Sequence, residues 1–246
     1  MIWVHKRRAA RSFAASMKKF MPTAKKKDSR PANSSTSRPA NNVCGTALAY
    51  GHEGILEESP LDEILRQFDV NVFGAVAVTK AVLPGMRQRR GGHIVNITSM
   101  AGIVGIPGIA YYAGSKFALE GITEVLAKEV REFGIYVTAL ALGSFRTEWA
   151  GKSMIRSDRS ISDYDALFAP IRRAREQKSG RQVGDPAKAA KVLLDLVEAE
   201  DPPVHLILGV EALQLVRDRT AHFLAELDAW EEVSRSTEFG NVENVG

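Results

Sequence analysis

The sequence predicts an α/β fold built on a doubly wound parallel sheet, and three observations carry that expectation. Residues 135–142 are a near-continuous apolar run, the mark of a parallel strand covered on both faces. Residues 93–99 read as a short strand followed by a glycine-bearing loop, 204–209 as a last strand, and 43–50 as a further strand. Segments of helical periodicity separate these runs, and strands alternating with helices give a parallel sheet with right-handed crossovers. Ligands of such sheets sit beyond the carboxyl ends of the strands, here Ser99 and Gly143 and the loops that follow them.

The helices can be read in order. Ser59, Pro60, Leu61, Asp62 and Glu63 form a helix start: Ser59 can cap, Pro60 suits the first turn, and two acids face the positive helix end. Leu61, Ile64, Leu65 and Phe68 follow at helical spacing, and the pattern continues through Val78, apolar on most sides. Pro84-Gly85 or the Arg89-Arg90-Gly91-Gly92 cluster ends it. Residues 111–132 carry Leu119, Ile122, Leu126 and Val130 on one stripe. Asp185-Pro186 starts a helix to about Glu198, and another begins near Glu211.

Composition bounds the function. The chain has 246 residues, 45% hydrophobic and 25% charged, with a mean hydropathy of −0.13. That is a globular balance and excludes a collagen, a coiled coil or a wholly disordered chain. The single cysteine, Cys44, excludes an internal disulfide, so a cytoplasmic location is the expectation. No uncharged apolar run reaches 18 residues, so no transmembrane segment is expected. The five histidines have no ligand spacing, so no metal site is expected.

The net charge of +4 is unevenly spread. Residues 1–42 hold eleven Lys or Arg and one acid, Asp28, which leaves 22 basic and 28 acidic residues for 43–246. The chain therefore divides into a basic extension, 1–42, and a mildly acidic domain, 43–246, for which nucleic-acid binding has no support. Within the extension, 1–21 has the pattern of a basic amphipathic helix and 22–42 reads as disordered linker. A membrane-surface or nucleic-acid tail, a targeting peptide and a solvated extension without a role are the open readings.

Chemistry concentrates in a few residues. Tyr112 and Lys116 stand four apart at a helix start and share a face. A free phenol titrates near ~10 and is a poor proton shuttle at neutral pH. An ammonium about 4 Å away favours phenolate by up to ~4 kcal/mol at an effective dielectric of ~20, enough to lower the pKa by roughly three before desolvation opposes it. Ser99, at a strand's carboxyl end, can donate to a developing alkoxide. Asn71 lies in a buried helix, where an amide needs a partner. Tyr111, one residue out of register with Lys116, reads as pocket wall or packing.

In these residues and their order the chain resembles the short-chain dehydrogenase/reductases. The matching stretches are Asp69-Val-Asn-Val-Phe-Gly74, His93-Ile-Val-Asn-Ile-Thr-Ser-Met-Ala-Gly102, Tyr112-Ala-Gly-Ser-Lys116 and Gly143-Ser-Phe-Arg-Thr147, spread over about residues 49–209. The resemblance implies a Rossmann-like sheet and an NAD(P)-dependent oxidoreductase that interconverts an alcohol and a ketone or aldehyde by hydride transfer. It implies that Tyr112 is the general acid/base and that Lys116 lowers its pKa and binds the nicotinamide ribose. Ser99 would hold the substrate carbonyl, Asn71 a relay water, and Gly143 and Thr147 would border the nicotinamide. The alternative for Ser99 and Thr147 is a loop hydroxyl capping a local turn. The resemblance also implies a homo-oligomer paired through helices near 60–90 and 111–132. Residues 103–109 and 148–182 would shape the substrate pocket.

The chain departs from the family at its start. Members carry T-G-x-x-x-G-x-G after the first strand, because a pyrophosphate needs close backbone approach and free N–H groups. Here no glycine precedes Gly45. Gly102, Gly105 and Gly108 have the wrong spacing to replace that loop. The family's Asn-Asn-Ala-Gly strand end is also scrambled after Asn41-Asn42. The family's first three strands are therefore expected to be absent, with 1–42 in their place, as a truncated or frame-shifted reading frame would produce. Binding of NAD or NADP should then be weak, strand 43–50 should become a sheet edge, and the chain should be aggregation-prone. The competing expectation is a catalytically silent member acting as an interaction partner.

Overall fold

The computed structural model describes residues 43–46, 49–151 and 153–239, so every expectation for the extension 1–42 lies outside the described residues. Four parallel strands form the main sheet: β1 (Val43–Thr46), β3 (Gly92–Ser99), β4 (Ile135–Leu142) and β6 (His205–Leu208), in the order β1-β3-β4-β6. β3 and β4 pair along their full lengths, from Gly92 with Ile135 to Ser99 with Leu142. Both are buried on the two faces, as near-continuous apolar strands should be. Among the described residues β1 pairs only with β3.

Helices cover both faces. α1 (Leu61–Phe68), a π-turn (Asp69–Phe73) and α2 (Gly74–Gln88) form one continuous helix. α3 (Ala110–Val130) lies beside it. Val82, Met86, Leu126 and Val130 from these helices close over Cys44, Ile94 and Val137. On the other face α5 (Pro186–Glu198) sets Leu193 and Leu196 against Val95 and Leu140. The fold is thus a three-layer, Rossmann-like α/β arrangement.

The structure corrects one local reading and decides another. Ser59 does not cap α1. Pro60 holds the cap position in an extended conformation, and the Ser59 hydroxyl donates to the Ile55 carbonyl at 2.8 Å. Of the two ends open for α2, Pro84-Gly85 lies within the helix, which ends beyond Gln88 at the Arg89-Arg90-Gly91-Gly92 cluster, where Arg90 takes a left-handed φ of 53°. Finally, Leu61–Gln88 holds a stretch of 18 residues that is apolar enough, by length and composition alone, to cross a membrane. No uncharged run of that length exists there, because charges such as Asp69, Lys80 and Arg87 interrupt the sequence. In the fold it is a helix of the sheet's covering layer, with Val82 and Met86 in the core.

A second, two-stranded parallel sheet pairs β2 (Gly51–Glu53) with β5 (Met154–Arg156) above the carboxyl ends of the main strands. Three-residue strands have no readable periodicity, so they leave no signal in the sequence. Charge fixes this layer. The buried Glu53 carboxylate faces Arg175 at 3.2 Å, Arg156 at 3.5 Å and Arg172 at 3.8 Å. The Ser157 hydroxyl, next to β5, donates to Glu63 at 2.6 Å, and His52 contacts the same carboxylate. These bonds tie the segment after β1 to α4 (Asp165–Lys178), placing residues 148–178 over the sheet end.

Candidate active site

The site begins where β3 runs out. Ser99 is the last residue of that strand, still extended, and its hydroxyl accepts from the Ala101 N–H at 3.1 Å. The chain turns through Met100–Gly102 and returns into α3, which presents Tyr112 and Lys116 to the strand end. Gly102 permits this return, since a Cβ there would lie 2.9 Å from the backbone of Lys116. A two-residue cap and one tight glycine thus bring the serine, tyrosine and lysine together.

Burial dominates their electrostatics. Tyr112 is 6% exposed, enclosed by Ala101, Ile109 and Ala113, with the Trp149 ring 5.0 Å from its own. Desolvation pushes the phenol up to about 12, against a hydrogen bond from Ser99 that pulls it down. Lys116 is 2% exposed, and the same desolvation lowers it to about 8, opposed by Glu120. The sequence estimate needed an ammonium about 4 Å from the phenol to favour phenolate. In the structure Nζ sits 5.8 Å from the Tyr112 ring centroid and donates to the Ile97 carbonyl at 2.9 Å. Burial therefore outweighs the lysine, and Tyr112 is a neutral phenol at pH 7.

Asn71 joins the site through the helix backbone. It lies in the π-turn, where one extra residue in the helical repeat re-aims the side chains that follow. Its Oδ1 accepts from the Tyr50 N–H at 3.3 Å, and its Nδ2 donates to the Tyr50 carbonyl at 3.4 Å and to Ser115 Oγ at 3.0 Å. Ser115 in turn donates to the Tyr112 carbonyl at 2.7 Å. The buried amide thus has the partners it requires.

Gly143 and Thr147 follow β4. The Gly143 N–H donates to the Leu208 carbonyl at 2.8 Å, and a Cβ at Gly143 would lie 2.7 Å from that of Ala212. The glycine therefore lets the following loop pass close to the start of α6 (Val210–Ala229). Thr147 Oγ1 accepts from the Trp149 N–H at 3.4 Å and caps the turn Glu148–Ala150. Turn capping is thus a real task of both Ser99 and Thr147, and only Ser99 also acts on Tyr112.

Tyr111 has a structural task. Its hydroxyl meets the Leu56 carbonyl at 2.9 Å and that of Ser59 at 3.0 Å, and its ring lies 5.1 Å from His52. Trp149 and Ser115 were missed. Trp149 could have been found from its place two residues after Thr147, whereas Ser115 looked like one more small helix residue. Among the described residues no group of three or more His, Cys, Asp or Glu is placed to hold a metal ion.

The comparisons agree with this geometry. The family described as short chain dehydrogenase matches residues 41–157. The oxidoreductase BOA17 of Botryotinia fuckeliana is 34% identical over 186 residues, covering 75% of this chain and 67% of its own length. Retinol dehydrogenase 8 of Bos taurus is 34% identical over 163 residues, covering 63% of this chain and 51% of its own. A solved short-chain dehydrogenase from Streptomyces avermitilis superposes with a TM-score of 0.74 at 36% identity, covering 80% of this chain and 71% of that one. The chain spans 67%, 55% and 62% of the length of three curated relatives. A strand-end serine, a helix tyrosine and lysine, and a π-turn asparagine on a parallel sheet of this order place the chain in the short-chain dehydrogenase/reductase family.

Proposed function

We propose that this chain is an oxidoreductase of the nicotinamide-dependent type, interconverting an alcohol and a ketone or aldehyde, and that its site favours the reduction direction. The observation that carries this reading is the buried, neutral Tyr112 with Ser99 beside it. A carbonyl oxygen between the two hydroxyls would accept from both, and the alkoxide forming there would take the phenolic proton. Lys116, protonated below about 8, would then stabilise the tyrosinate. Asn71 would hold a relay water at the Tyr50 segment. Ile106, Ile109 and Trp149 make the wall beside Tyr112 apolar, which suits a lipophilic substrate.

The residues fit one end of a dinucleotide. Lys116 carries a buried ammonium with three N–H donors, one of them on Ile97, and ribose hydroxyls are acceptors that such a group can use. Lys116, Tyr112, Gly143 and Thr147 would hold the nicotinamide riboside, which supplies the hydride when bound. Neither the described residues nor the glycine-free first 44 positions offer a glycine-rich pyrophosphate turn. We therefore expect weak binding of NAD and NADP by this 246-residue chain. That same deficiency supports a second reading, a catalytically silent member retained as an interaction partner. Pairing of two copies through α1–α2 and α3, and a cytoplasmic location, complete the proposal. Leu61, Leu65, Phe73, Phe117 and Val125 are exposed on those helices.

The test is turnover of an apolar ketone at saturating reduced cofactor. Tyr112→Phe should lower kcat by roughly 100- to 10,000-fold, since general acid catalysis contributes that much. Tyr111→Phe should keep its rate. Comparable turnover by Tyr112→Phe would remove Tyr112 from the mechanism, and no turnover by the unaltered chain under these conditions would favour the silent reading.

A further inference from the structure

The C-terminal helix α6 leaves the body soon after it starts. Ala212 is buried against Gly143, whereas every residue from Thr220 to Phe239 is exposed. Along it and at its C-cap, Leu213, Val216, Thr220, Phe223, Leu227 and Trp230 recur at alternating spacings of three and four. That is the a/d seam of a two-helix pairing, about 26 Å long at ~1.5 Å per residue. Phe223, Leu227 and Trp230 are 47%, 51% and 64% exposed, so the described body leaves the outer half of the seam uncovered.

Charge and size select the occupant. Arg219 and Glu226, the latter 3.3 Å from His222, stand immediately before seam residues and flank the stripe on one side; Glu231, first residue of the short helix that follows and 2.7 Å from Arg235, flanks it on the other. A parallel pair with a second copy would set Glu226 against Glu231 of that copy, twice, and would stack Trp230 on Trp230 and Thr220 on Thr220. An antiparallel pair reverses both features. Arg219 then meets Glu226 of the second copy, twice. Each layer combines a smaller with a larger residue: Leu213 with Trp230, Val216 with Leu227, Thr220 with Phe223. The Arg219 guanidinium already lies 4.8 Å over the Phe223 ring, at the edge of the seam where the incoming carboxylate would arrive. A closed two-fold contact needs such a self-complementary patch.

We propose that α6 is a self-association seam, pairing antiparallel with the same helix of a second copy about a two-fold axis between residues 221 and 222. This contact is separate from the α1–α2 and α3 surface.

The test uses the full chain with single cysteines at exposed seam positions; the native Cys44 is buried. Leu213→Cys and Trp230→Cys proteins, whose self pairs would lie about 26 Å apart in the antiparallel seam at ~1.5 Å per residue, are treated with a short bis-maleimide, separately and as an equimolar mixture. The antiparallel seam predicts cross-linked dimer in the mixture, joining one variant to the other, and at least tenfold less in either alone. Equal cross-linking of each variant with itself overturns it in favour of a parallel pair. Absence of dimer in all three samples overturns it in favour of a seam covered otherwise, for example by the basic residues 1–21. Charge exchange gives an independent reading in the same assay: Arg219→Glu or Glu226→Arg alone should lower the mixed yield severalfold, and the two together should restore it. Additive loss in the double variant would refute the paired contact.

Discussion

The two sides of the main sheet differ in completeness. On one side, β3, α3 and β4 form a continuous unit in which Ser99, Tyr112 and Lys116 are buried together and Asn71 is anchored to the Tyr50 backbone. On the other, β1 is four residues long and pairs only with β3 among the described residues. On the proposed function, the proton-handling half of the site belongs to one strand–helix–strand unit and its crossover helix, and the grip on the rest of the dinucleotide would come from other elements.

Breaking the complete side should have the larger effects. After Tyr112→Phe, the next is Asn71→Ala. It would leave the Tyr50 N–H short of its partner, at a cost of about 1–3 kcal/mol, while the Tyr50 carbonyl keeps Gln67 and the Ser115 hydroxyl keeps the Tyr112 carbonyl. Chemical denaturation should show a loss of that order or more. An unchanged midpoint would mean that water replaces the amide freely.

Lys116 sharpens the comparison through pH. Its ordinary pKa of 10.5 falls to about 8 in the fold, so between these values the unfolded chain binds more protons than the native one. Stability should therefore rise with pH across that window, by about 3 kcal/mol at ~1.36 kcal/mol per pKa unit. Lys116→Met should flatten the rise. Above pH 10 the trend reverses, because Tyr112 keeps its proton to about 12 while the unfolded phenol ionises near 10. Denaturation midpoints at pH 7, 9 and 10 check this, and equal slopes for the two proteins would refute the buried ammonium.

Tyr111→Phe is the smallest change. It removes one hydroxyl shared by two carbonyls, for an expected loss of about 1 kcal/mol read by thermal unfolding.

Sequence and structure agree most closely where periodicity is long and burial two-sided. The strands 135–142 and 93–99 and the helix after Ala110 match to within a residue or two, because continuous apolar runs leave no other placement. The site residues were readable from their order along the chain. Their electrostatics were not, because the direction of Lys116 Nζ and the enclosure of Tyr112 by Trp149 are tertiary facts. β2 and β5 escaped for another reason: three residues set no period, and their pairing rests on contacts such as Glu53 with Arg175 across more than a hundred positions.

The proposed function has this chain grip only the nicotinamide end of its cofactor. Calorimetric titration with reduced nicotinamide mononucleotide and with NADH tests it directly. The account predicts weak binding of both, with dissociation constants within about threefold of each other, because the adenylate half finds no site to add its binding energy. A micromolar constant for NADH, with the mononucleotide a hundredfold weaker, would show that a pyrophosphate and adenine site exists and would contradict the account.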